Sequence, residues 1–123
     1  MKPDLTTAAA KAQEIRSRFG STMEPLCMLK TMHNVQVYSF ADVATKTGEA
    51  RDAILAAFVE PCDAISIYSK GKYIVVYNQL MPFCIVRQAL ARELGHIVLG
   101  HDGSRPEEVR NEEAVEFAKE LLQ

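Results

Sequence analysis

The strongest constraint on what this chain can fold into lies between Ala64 and Tyr77. Ala64-Ile65-Ser66-Ile67-Tyr68 alternates with the period of two that a strand imposes on its side chains. Ser69-Lys70-Gly71-Lys72 then reads as a tight turn, and Tyr73-Ile74-Val75-Val76-Tyr77 continues as a nearly unbroken apolar run. Such a run needs cover that water cannot give, so it predicts a hairpin whose second strand lies under helices.

The flanking segments supply those helices. Thr6 to Phe19 is rich in helix formers, with Asp4 or Thr6 able to cap it and Gly20 able to close it. Pro25 to His33 predicts a short second helix, with Pro25 suited to its first turn, and Val35 to Tyr38 a strand. Phe40 to Thr47 predicts another short helix capped by Ser39, and Arg51 to Val59 is apolar at helical spacing and stops before Pro61. After a loop over Asn78 to Met81, Pro82 opens a long helix running to about Gly100 or His101. Gly103 to Pro106 breaks the chain, and Glu107 to Leu122 forms the last helix, acidic at its start and apolar at Phe117, Leu121 and Leu122. This order predicts an α+β fold, a short sheet with a hairpin packed on several helices, rather than alternating βαβ units.

A chain of 123 residues fits one domain spanning 1–123 and buries enough surface to fold without a covalent staple. Its net charge of −2 argues against direct nucleic-acid binding, which calls for a basic face. Three cysteines, Cys27, Cys62 and Cys84, are an odd number without close spacing, which fits a reduced compartment better than a disulfide framework. The first sixteen residues lack the apolar core of a secretory signal, and no run is long enough to span a membrane. A cytoplasmic protein is the expectation.

Chemistry concentrates in Leu90-Ala91-Arg92-Glu93-Leu94-Gly95-His96-Ile97-Val98-Leu99-Gly100-His101. Residues four apart share a helix face, the spacing at which two histidines grip one zinc while a glutamate beside the first activates the bound water. Glu93 and His96 stand where the base and a ligand would stand, but Arg92 occupies the position four before His96. A further ligand would have to come from elsewhere, and Glu112 and Glu113, in the first turns of the last helix, are placed to return toward His96 across the short break.

From Ala64 to Leu122 the chain resembles the ImmA/IrrE metallopeptidase family. The resemblance rests on Ile74-Val75-Val76-Tyr77-Asn78, on Arg87, on Leu90-Ala91-Arg92-Glu93-Leu94-Gly95-His96, and on Glu113-Ala114-Val115-Glu116-Phe117-Ala118-Lys119-Glu120-Leu121-Leu122, in matching order and spacing. It implies a small zincin-like domain and a zinc-dependent hydrolase of phage or mobile-element type, whose protein substrate is a helix-turn-helix transcriptional repressor. It further implies His96 as second zinc ligand, Glu113 as third and Glu93 as general base. Arg92 stands where the first ligand should be.

Arginine stays protonated and offers a metal no lone pair, so His96 and Glu113 alone do not make a three-ligand site. His101, five residues after His96, points about 140° away on an ideal helix and would help only if the helix ended and the chain bent. It reads as a helix-end residue favoured by the dipole, as does His33. Cys84 reads as a buried structural thiol, although a helix start lowers a thiol pKa. Arg92 itself reads as an internal cation replacing zinc, paired with Glu113 and directed toward His96. Three functions stay open: a zinc peptidase with a substitute ligand, an inactive module that binds a repressor or other protein, and a subunit whose missing ligand comes from a second chain.

Overall fold

The structure is a computed structural model that describes residues 1–20, 22–45 and 63–123. The helix expected over Arg51–Val59, and Cys62, lie outside the described residues.

Helix α1 (Leu5–Phe19) starts on Asp4, whose carboxylate accepts from the Thr7 backbone N–H at 3.0 Å and the Thr7 hydroxyl at 2.7 Å. Gly20 closes it by donating its N–H to the Arg16 carbonyl. Helix α2 (Pro25–Thr31) has Pro25 in its first turn and is shorter than the sequence suggested, because Met32 leaves helical geometry for the extended region. His33 therefore sits exposed in the turn beyond the helix rather than at its end. Strand β1 (Val35–Ser39) runs straight into α3, described over Phe40–Thr45. The junction is a reciprocal cap: the Ser39 hydroxyl accepts from the Asp42 N–H at 3.0 Å, and the Asp42 carboxylate accepts from the Ser39 N–H at 3.4 Å.

Strands β2 (Ala64–Ser69) and β3 (Lys72–Tyr77) form the expected hairpin, paired antiparallel from Ala64↔Tyr77 to Ser69↔Lys72. Lys70 and Gly71, both at positive φ, make its two-residue turn. Strand β1 pairs with β3 in parallel, Val35↔Tyr73 to Ser39↔Tyr77, so the sheet order is β1-β3-β2. The apolar strand is thus the central one, and Val75 and Val76 are fully buried on opposite faces. Strand β2 is an edge.

Helices α4 (Phe83–Val98) and α5 (Glu107–Leu121) complete the described chain. Alternation sends Val35, Val37, Tyr73, Val75, Tyr77 and Ala64 toward one core with α1, α2, α4 and α5, and Tyr38, Ile65, Ile67, Ile74 and Val76 toward a second, smaller one with Val43. In the helical layer α5 lies against both α1 and α4. Its fully buried Phe117 meets α4 at Gly95, where a Cβ would lie 3.0–3.2 Å from three Phe117 side-chain atoms. The missing Cβ lets the two helices close on one another beside His96. Arg87, matched by the resemblance without a role, bonds both carboxylate oxygens of Glu24 at 2.9 Å and ties α4 to the start of α2. Among the described residues no helix is long and apolar enough to cross a membrane.

Candidate functional site

The site lies where the end of α4, the start of α5 and the edge strand β2 converge. Alternation turns Ser66 to the helical face of β2, and there its hydroxyl donates to Glu93 Oε2 at 2.6 Å. Burial raises the Glu93 pKa above the usual carboxylate range, partly opposed by that hydrogen bond and by the Arg92 charge. A raised pKa is the direction a general base at neutral pH requires.

His96 is reached by a residue the helical projection turned away. Helix α4 ends at Val98, and Gly100 takes φ +64°. The Gly100 N–H donates to the Ile97 carbonyl and the His101 N–H to the His96 carbonyl, at 3.2 and 3.0 Å. This is the double bond pattern of a Schellman end, which brings the residue after the glycine back over the last turn. The His101 ring accordingly packs edge-on to the His96 ring, with their Nδ1 atoms 2.8 Å apart. The condition for His101 to join the site, a helix that ends and a chain that bends, is met. Burial lowers the His96 pKa to about 4, and His101, Arg110 and Arg92 press the same way.

Glu113 is 4% exposed on the inner face of α5, whereas Glu112 faces solvent. Both Glu113 oxygens are engaged. Oε1 accepts from His101 Nε2 at 2.9 Å, and Oε2 accepts from Arg105 Nη2 and from the Asp4 backbone N–H, each at 2.7 Å. Since the carboxylate accepts at Oε1, the proton lies on His101 Nε2, and His101 Nδ1 either accepts from His96 or, in the imidazolium, donates to it. In both cases His96 Nδ1 is committed to His101.

Two expectations are corrected here. The guanidinium on Glu113 belongs to Arg105, from the loop before α5, and not to Arg92, which makes no ion pair or hydrogen bond among the described residues. Cys84 is exposed rather than buried, because the inward face of α4 is set by Val86, Ala89 and Leu90 and residue 84 falls opposite Val86. His33 lines neither part of the cleft described next.

The cleft has two parts, of about 400 and 350 Å³, on either side of Glu93, His96 and Asn111, which line both. Arg92, Asp63 and Ala64 border the first. Arg110, Ser66, Tyr68 and Tyr73 border the second, the two tyrosine rings 4.9 Å apart. Tyr77 instead lines a separate apolar groove with Met81 and Phe83.

A zinc ion of the kind the resemblance implies does not fit this arrangement. Arg92 offers no ligand atom, Glu113 is bonded through both oxygens, and His96 has one ring nitrogen occupied by His101. Among the described residues no three His, Cys, Asp or Glu side chains are grouped to hold a metal. Compared with family models, curated proteins and solved structures, the chain matches none of them.

Proposed function

We propose that this chain is a metallopeptidase-like domain of the ImmA/IrrE type that works without hydrolysis, holding a segment of another protein in the cleft between β2, α4 and α5. The partner the resemblance implies is a helix-turn-helix repressor, met in the cytoplasm. The observation that carries this reading is the closure of Glu113 by Arg105, His101 and the Asp4 N–H, with Arg92 standing at the first-ligand position. Cations and hydrogen-bond donors satisfy a carboxylate that an active zincin would direct at its metal.

A second reading has one observation in its favour. The Schellman end sets His101 against His96, so a rearranged site could recruit His101 as the substitute ligand and keep Glu93 as base.

Elemental analysis of protein purified without chelator or affinity tag decides between them, together with a cleavage assay on a repressor. The expected result is substoichiometric zinc and no cleavage in the native chain. Near-stoichiometric zinc that disappears in His101→Ala would overturn the binding reading and establish the second.

A further inference from the structure

Six arginines lie among the described residues, and four of them have partners. Arg16 donates to the Glu120 carbonyl, Arg18 lies over the Phe19 ring, Arg87 pairs with Glu24 and Arg105 with Glu113. The remaining two are Arg92 and Arg110, and both line the cleft. Neither makes a hydrogen bond or ion pair among the described residues, and the Arg110 Nε is buried with no acceptor. Glu107 is on the same wall, one turn before Arg110, yet forms no ion pair with it.

A guanidinium cannot shed its charge, and a buried donor without an acceptor is costly. The Arg110 Nε is such a donor, and with the half-buried, unpaired charge of Arg92 across the cleft it calls for an anion with several acceptor lone pairs. A carboxylate matches the planar fork of arginine. A doubly charged phosphate would meet stronger repulsion from Glu93 and Glu107, which share the cleft.

The shape of the cleft says what carries the carboxylate. Its two parts share Glu93, His96 and Asn111, which leaves space beside these residues on more than one side for a segment longer than a single side chain. One wall is β2, whose outer edge has no strand beside it among the described residues. An edge strand offers backbone groups to an extended segment. We infer that the cleft recognises an acidic side chain, glutamate or aspartate, on an extended segment of a partner protein lying along β2, with Arg92 and Arg110 as the donors. This rests on the protein-binding reading above and names the chemistry of the bound segment.

The test is an NMR titration of the full ¹⁵N-labelled chain, following backbone amides and arginine Nε–H signals. The probe is an N-acetylated, C-amidated Ala-Val-Glu-Val-Ala pentapeptide raised to millimolar concentration. The expected result is movement of the Arg92 and Arg110 signals and of amides 64–68. The glutamine counterpart should bind at least about ten-fold more weakly, as loss of a charged hydrogen-bond partner implies. Arg92→Gln and Arg110→Gln should each weaken the glutamate peptide by a similar factor while leaving amides remote from the cleft in place. If a glutamine variant fails to fold, Arg92→Lys and Arg110→Lys keep the charge and remove the fork, and a partial loss is expected. Equal binding of the glutamate and glutamine peptides would overturn the inference and leave the protein-binding reading standing. So would stronger binding of Ala-Val-Ala-Val-Ala with a free C-terminal carboxylate, since the recognised group would then be a chain end. Absence of any shift at 64–68 with every peptide would count against both.

Discussion

Glu112 and Glu113 are neighbours in sequence, and they should behave as opposites under mutation. Glu113 is buried and holds Arg105, His101 and the Asp4 N–H together. Glu113→Ala leaves those donors without an acceptor, and since Arg105 is partly solvated we expect a loss of about 2–4 kcal/mol in urea unfolding. Glu112→Ala, at an exposed position, should stay within about 0.5 kcal/mol of the parent. Glu93 makes a different case. Its folded pKa is raised by burial, so the folded state favours the neutral acid. The resulting stability is fully present below the unfolded pKa and is lost as pH rises through the folded one. At pH 7 the chain therefore carries a penalty that Glu93→Gln removes while keeping an oxygen for the Ser66 hydroxyl. We expect Glu93→Gln to be more stable than the parent at pH 7, with the advantage shrinking as pH falls through the folded pKa and gone below the unfolded value of about 4.5. A less stable Glu93→Gln at pH 7 would mean that the Arg92 charge outweighs burial at this position.

At the level of elements, two glycines on and just after α4 fix the site, one by closeness and one by handedness. Gly95→Ala would press a Cβ to 3.0 Å from Phe117 Cδ1 and 3.2 Å from its Cβ, in a side chain with no exposed surface through which to retreat. The overpacking cost exceeds the gain in helix propensity, for a net loss of about 1 kcal/mol. Gly100→Ala meets no neighbour, so its cost is the strain of a positive φ alone, about 1–2 kcal/mol. Thermal unfolding of both variants checks these values. Gly100→Ala should also displace the His101 ring, read as a change in the His96 and His101 imidazole signals that Gly95→Ala does not share. The same turn marks the limit of what the sequence disclosed. Glu93, His96 and the inward Ser66 follow from the periods of helix and strand, because each is fixed by its own element. His101 does not, since projecting it onto an ideal helix turns it away from His96. The signal that relocates it was Gly100 in the position that ends a helix in a Schellman motif. Arg105 had no signal of this kind. It sits in the break before α5, and no periodicity fixes where a loop aims a side chain.

For the whole molecule, the site is a property of how three helices and a sheet edge are clamped, not of any one segment. α5 lies between α1 and α4, and Glu113 reaches across both seams: to the Asp4 N–H at the start of α1 and to His101 just beyond α4. Phe117 sits one helical turn further along α5, fully buried against Gly95. Packing and site are therefore coupled, and a cavity at Phe117 should loosen the histidine pair without touching it. Phe117→Ala is expected to cost about 3–5 kcal/mol, a large share of the roughly 5–15 kcal/mol that holds a domain of this kind together. That leaves little folded protein to examine, so Phe117→Leu is the informative variant. It trims the ring while keeping an apolar branch against Gly95, and it should remain folded with a lower urea midpoint. Its His96 and His101 imidazole signals should broaden or shift although both residues are unchanged. If the signals of Phe117→Leu match the parent while its stability falls, the Schellman end alone sets the histidine geometry, and the clamp of α5 on α4 serves stability without shaping the site.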